Sequence, residues 1–152
     1  GIAPIGGFDK AFLLEWLAWL QQIGPSDIGP IPALSYILAQ EPTAELRPLA
    51  KKQKDEDDLM PYPILDHIER LAIRDKLSPA EIYEKLTVEL PDISPAQLKP
   101  WIERFFTLWS RNQWKRERLA PAFHVDDKSL DPKTWCRFPI LSGGYDYELK
   151  KL

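Results

Sequence analysis

Two tetrapeptides, Ser78-Pro79-Ala80-Glu81 and Ser94-Pro95-Ala96-Gln97, constrain this chain more than any other feature. In each, a serine hydroxyl can accept from the backbone N–H three residues on, and proline supplies a helical φ at the first turn. The Glu or Gln can reach back to the serine N–H. The pair predicts helices over about 79–90 and 95–118. The segments that follow the two devices do not match, so they are helix starts and not an internal repeat. Proline punctuates the rest: 15 of 152 residues, about twice the usual share. Most lie between helical patterns, which divides the chain into helices joined by stiff connections.

Three further helices follow from periodicity. Asp9 suits the N-cap of a helix over about Lys10–Ile23, stopped by Gly24-Pro25. Phe12, Leu13, Trp16, Leu17, Trp19 and Leu20 line one broad face of it. Pro32 suits the first turn of a short helix over Ala33–Ala39. A third helix over about Pro63–Arg74 would bury Ile64, Leu65, Ile68 and Leu71. In the predicted 95–118 helix the buried face is Leu98, Trp101, Ile102, Phe105, Phe106, Leu108 and Trp109, and Pro100 would bend its early turns. From Ala120 onward the helical period is gone. The tail carries Phe123, Trp135, Phe138, Ile140 and Leu141, too apolar for free solvent, so it is expected to lie across the helices or against another subunit or domain. The expected fold class is mainly α, about five helices plus an extended C-terminal tail.

Composition bounds the function. A content of 44% hydrophobic residues with six Trp and six Phe is enough for a core. Twenty basic and 23 acidic residues leave a net charge of −3, which argues against nucleic-acid binding as a bulk property. A single cysteine, Cys136, excludes an internal disulfide framework and a cysteine-based metal cluster. It reads as a reduced thiol of a cytoplasmic protein. No apolar run approaches the ~20 residues that span a bilayer, and no membrane partner is expected. The opening Gly1-Ile2-Ala3-Pro4-Ile5-Gly6-Gly7 lacks an initiator Met and a signal-peptide pattern, which suggests a piece of a longer protein.

Residues 40–61 form a polar connection longer than compact domains ordinarily use. Within it Asp55, Glu56, Asp57 and Asp58 are consecutive carboxylates. Magnesium usually takes one or two carboxylates together with substrate phosphates. The plainer reading is a solvated acidic start to the next helix. Thr43, after Pro42, could donate to a phosphate or close a local turn. Lys10 follows the Gly6-Gly7 turn at a helix N-terminus, where amides and dipole favour an anion. The spacing is not that of a Walker loop. Arg111-Asn112-Gln113-Trp114-Lys115-Arg116-Glu117-Arg118 ends the long helix. Such basic residues stabilise helix carbonyls, while Trp114 leaves an aromatic stacking surface beside cations. His67 reads as a partner of Asp66 or Glu69. His124, beside Asp126 and Asp127, lacks the further ligands a metal site requires. Cys136 with Arg137 is too little for a thiol nucleophile.

Taken in order, Ala3-Pro4-Ile5-Gly6-Gly7-Phe8-Asp9-Lys10, Glu41-Pro42-Thr43-Ala44-Glu45-Leu46, Gln53-Lys54-Asp55-Glu56-Asp57-Asp58-Leu59 and Lys115-Arg116 resemble the C-terminal part of NAD synthases. The tail Trp135-Cys136-Arg137-Phe138-Pro139-Ile140-Leu141-Ser142-Gly143-Gly144 looks like the end of the long, glutamine-hydrolysing bacterial members. The resemblance covers nearly the whole chain. It implies a fragment of an α/β adenine-nucleotide hydrolase-like synthetase domain. The expected parts are first helices over 1–39, a mobile active-site loop over 40–61, a helical region over 62–118 and an extended tail over 119–152.

The activity so implied joins deamido-NAD to ammonia, with ATP and Mg2+ as cofactors. ATP adenylates the nicotinate carboxylate, pyrophosphate leaves, and ammonia then displaces AMP. A separate amidase domain makes the ammonia from glutamine. The resemblance implies that Lys10 and Thr43 contact ATP phosphates and Lys115 contacts deamido-NAD. Asp55, Glu56 and Asp58 would lie in the closing loop near the reacting groups, with no metal ligand assigned. A homo-oligomer is expected. The sequence departs from the family in lacking its Ser-Gly-Gly-x-Asp-Ser phosphate loop and its principal magnesium glutamate. Ser142-Gly143-Gly144 is followed by Tyr145-Asp146-Tyr147 and is not that loop. Trp114 stands where ammonia-dependent relatives have histidine. The fragment alone is therefore expected to be inactive. Two other readings stay open: a helical protein-interaction or docking module without catalysis, and an ATP-pyrophosphatase relative acting on another carboxylate.

Overall fold

Local capping and burial decide where each helix of this chain begins and ends. The computed structural model describes residues 1–40, 59–123 and 126–152, and these fall into two units. One comprises Phe8–Pro63, the other Gly1–Gly7 with Ile64–Leu152.

In the first unit, helix α1 spans Lys10–Gln22. Asp9 takes the extended N-cap conformation (φ −71°, ψ 151°), and its carbonyl accepts the first helical bond from Leu13 N at 2.9 Å, with no side-chain capping bond. The helix stops as expected at Gly24, whose φ of +66° is left-handed. A Cβ there would lie 2.0 Å from the carbonyl oxygen of Gly29, so only glycine fits the close approach. The turn returns the chain to α1, where Ile31 N donates to Leu20 O at 3.0 Å. A 3-10 turn over Pro32–Leu34 then leads into helix α2, Ser35–Leu38. The broad apolar face expected on α1 is present but not buried: Phe12, Trp16 and Trp19 are exposed, while Phe8 stacks on Phe12 at 5.5 Å and on Trp16 at 6.4 Å.

The second unit carries the core. Helix α3 spans Tyr62–Glu69 and continues as a π-helical turn over Arg70–Arg74. The wider turn closes with Asp75 N donating to Arg70 O at 3.1 Å. At Ser78 the predicted capping box forms in full: Glu81 N donates to Ser78 Oγ at 3.4 Å and Ser78 N donates to Glu81 Oε2 at 2.8 Å. It opens helix α4, Pro79–Glu89. At Ser94 the hydroxyl half forms, with Gln97 N donating to Oγ at 3.3 Å, and opens helix α5, Pro95–Arg111. Pro100 lies inside α5 without ending it. Helices α4 and α5 pack together, with Ile82, Leu86, Leu98 and Ile102 fully buried. Each such side chain contributes about 1.5–3 kcal/mol. Ile64, Ile68, Leu71, Ile73, Phe105 and Phe106 complete this core.

The helix expected to run to Arg118 breaks at Asn112 (φ −95°, ψ 9°) and restarts as α6, Gln113–Arg116. Side chains compete with the helical ladder there. Ser110 Oγ donates back to Phe106 O at 2.9 Å, a bond known to disturb helices. Arg116 donates from Nη2 to the Trp109 carbonyl and grips Gln113 Oε1 from Nε at 3.1 Å and Nη2 at 2.7 Å.

Part of the tail lies across α5, one of the two placements expected, but Phe123, Trp135, Ile140 and Leu141, expected to leave solvent, stay exposed. Phe138 sits 4.8 Å from Trp109, and Tyr145 sits 4.6 Å from Phe106 and 5.6 Å from Trp109. The tail also forms one short helix that periodicity did not indicate, α7, Asp146–Leu149. Ala3 N donates to Pro121 O at 3.0 Å, and Ala3 and Ala122 make an isolated parallel bridge. Among the described residues there are helices and no strand, and no helix is long and apolar enough to cross a membrane.

Candidate functional site

Lys10 is the first residue of α1, as the Gly6-Gly7 turn predicts. It is exposed, and its Nζ stands 6.0 Å from the ring centroid of Tyr62. Tyr62, at the start of α3, is a neighbour the sequence did not point to. The pairing sets a fixed positive charge beside an aromatic face at a helix N-terminus. Thr43, Asp55, Glu56 and Asp58 lie outside the described residues, as does His124. Among the described residues, no group of three or more His, Cys, Asp or Glu side chains could hold a metal ion.

The basic run at 111–118 divides into inward and outward members. Gln113 is fully buried and donates from Nε2 to Glu117 Oε1 at 2.8 Å. Arg116 turns in to grip Gln113 and the Trp109 carbonyl, and burial lowers its guanidinium pKa. That is the carbonyl-capping role of a basic residue at a helix end. Lys115 turns outward: its Nζ stands 5.7 Å from the Trp114 ring centroid, and the Arg118 guanidinium stands 5.4 Å from the same ring. The aromatic surface beside cations that the sequence suggested is therefore present, and Arg118 is a member of it that the sequence reading left unassigned.

The sequence offered Asp66 or Glu69 as the partner of His67, but the structure gives it a partner from another helix. Its Nε2 lies 3.0 Å from Glu89 Oε2, at the end of α4. Asp66 is taken instead by Arg70 at 3.0 Å and by Lys128. Packing supplied Glu89 and Lys128, partners remote in sequence. Cys136 is buried, and burial pushes its thiol pKa up, which suits an inert thiol and not a nucleophile.

A pocket of about 170 Å³ opens between α5 and the tail, lined by Thr107, Ser110, Arg111, Ser142, Gly144 and Asp146 among others. Gly144 has φ +84°, and a Cβ on it would crowd Ser110 Oγ at 3.3 Å. Tyr145 beside it has its phenol pushed up to about 12, by burial first and by nearby Cys136 and Glu148 after.

Comparison with known proteins identifies the family. The NAD synthase family pattern matches residues 1–118. A protein of Rattus norvegicus named glutamine-dependent NAD(+) synthetase is 34% identical over 145 residues, which is 92% of this chain and 19% of the relative. Its Saccharomyces cerevisiae counterpart, of the same name, is 31% identical over 144 residues, 92% of this chain and 20% of the relative. The crystal structure of a glutamine-dependent NAD(+) synthetase from Cytophaga hutchinsonii is 42% identical with a TM-score of 0.77, covering 99% of this chain and 22% of that one. The chain thus spans about a fifth of the length of the relatives it matches. On the family match, the identities and the shared fold together, the chain belongs to the NAD synthase family.

Proposed function

We propose that this chain is the C-terminal portion of a glutamine-dependent NAD synthase, a cytoplasmic ligase that converts deamido-NAD to NAD. In the reaction the nicotinate carboxylate attacks the α-phosphorus of ATP, and pyrophosphate leaves with the broken phosphoanhydride bond. Ammonia, released from glutamine by an amidase domain of the same enzyme, then attacks the acyl carbon. AMP departs and the amide remains. The observation that carries this reading is the NAD synthase match over residues 1–118, reinforced by a 42% identical structural relative.

In this reading Lys10 and Thr43 contact ATP phosphates and Lys115 contacts deamido-NAD. Negative charge develops on phosphate oxygens during adenylyl transfer, so preplaced cations and hydroxyls lower the barrier. The 41–59 segment, with Asp55, Glu56 and Asp58, covers the reacting groups and excludes water, which would hydrolyse the acyl-adenylate. Bound Mg2+ would neutralise ATP phosphate oxygens.

The complete synthetase domain would be α/β, with this helical portion packed on a nucleotide-binding sheet, and the enzyme a homo-oligomer. The 152-residue chain alone would be inactive, because its sequence contains no Ser-Gly-Gly-x-Asp-Ser phosphate loop. The test is pyrophosphate release by the intact protein supplied with ATP and glutamine. Release that requires deamido-NAD and yields NAD supports the reading. Release with a different carboxylate and none with deamido-NAD overturns it.

A further inference from the structure

Lys10 is the first residue of α1, and helix stability does not explain a lysine there. A cation in the first turn opposes the helix dipole, which favours negative charge at that end. The Lys10 Nζ stands 6.0 Å from the ring centroid of Tyr62, the first residue of α3. Both residues belong to the unit Phe8–Pro63. Phe8, nearer in sequence, stacks along α1 on Phe12 and Trp16 instead. The backbone that carries the Tyr62 ring is held on both sides: Met60 before it is 1% exposed, and α3 begins at Tyr62 itself. The four-carbon lysine stem, by contrast, is flexible and must give up rotamers to hold a ligand. An aromatic face draws an ammonium in without cancelling its charge, as a carboxylate would.

We propose that Tyr62 is a positioning residue for the adenylation step, its ring holding the Lys10 ammonium in place for the ATP phosphates. The inference rests on the NAD synthase reading, which gives Lys10 to those phosphates, and deepens it by adding a residue that acts through Lys10. Tyr62 need not touch the nucleotide. A cation placed before the reaction costs no reorganisation as charge develops on the phosphate oxygens. A lysine left to wander would have to be gathered in during that step. The contribution of the ring therefore falls on turnover.

The experiment measures pyrophosphate release by the intact enzyme supplied with ATP, deamido-NAD and glutamine. Tyr62→Leu and Tyr62→Gln both remove the ring face, so a folding failure in one leaves the other to carry the test. Each should lower kcat about two- to fivefold, the size of one exposed cation–π contact, with KM for deamido-NAD unchanged. Tyr62→Phe keeps the face and should retain most of the rate. In a Lys10→Ala background the ringless variants should cost nothing further, because the group that the ring places is gone. Such non-additivity marks residues that act through one another. The proposal is overturned by a wild-type kcat in the ringless variants, or by Tyr62→Phe as slow as they are. It is equally overturned by the same fractional loss with and without Lys10, since the ring would then serve the fold and not the lysine. Wild-type enzyme that releases no pyrophosphate with deamido-NAD sinks the synthase reading itself, and shows this with no Tyr62 variant.

Discussion

The ammonium of Lys128 donates to the carboxylate of Asp66, 62 positions earlier in the chain. The Lys128 side chain is only 6% exposed, and Asp66 also receives Arg70 at 3.0 Å. One carboxylate therefore ties the tail to α3. Replacing Lys128 by Met keeps the apolar stem and removes the charge. Breaking a fully buried pair costs about 3–5 kcal/mol, but Asp66 keeps Arg70 and some solvent, so a cost of about 1–2 kcal/mol is expected. Amide hydrogen exchange in 126–136 of the intact protein should quicken accordingly. Unchanged protection there would show that the pair does not hold the tail.

The capping box at Ser78 gives a second prediction. Ser78→Ala removes the acceptor for Glu81 N and should weaken the first turn of α4 by about 1 kcal/mol. Hydrogen bonds from the Ser78 side chain and then its backbone hold the Glu81 carboxyl below its ordinary value. A depressed acid contributes stability that is complete above its unfolded pKa, about 4.3, and is lost as pH falls through the lower folded value. Amide exchange over 79–83, corrected for its intrinsic pH dependence, should rise on acidification in the wild type. Glu81→Gln should blunt that response.

Tyr145 should be the late phenol in a spectrophotometric titration. Burial against Phe106, Trp109 and Phe138 pushes it to about 12 from an ordinary 10.0. The unfolded chain ionises first, so stability falls as pH rises from about 10 through about 12. Tyr145→Phe should remove the late component from the absorbance curve. A wild-type curve with every tyrosine ionising near 10 would contradict the packing of the tail on α5.

For the proposed reaction, Lys10→Ala and Thr43→Ala in the intact enzyme should each lower turnover, by about 10²-fold if each acts as a single transition-state donor. Pyrophosphate release at saturating ATP is the measurement. Wild-type rates in both variants would refute the assignment of these residues to ATP phosphates, while leaving family membership untouched.

The sequence by itself determined where two helices start and where α1 stops. Ser78, Ser94 and Gly24 act within a few residues of themselves, through a hydroxyl, a proline φ or a missing Cβ, so their effect is written locally. It also showed the apolar faces of α3 and α5, and the ordered motifs that place the chain in its family. Tertiary structure decided the partners. His67 went to Glu89, and Asp66 gained Lys128 beside its helical neighbour Arg70, because packing delivers groups from remote segments that the local sequence does not list. The break at Asn112, which turns Arg116 inward and leaves Lys115 and Arg118 beside Trp114, arose the same way. A helical period describes which face is apolar. It does not record which buried side chain will claim a carbonyl and interrupt the ladder, because that choice depends on what the fold removes from water.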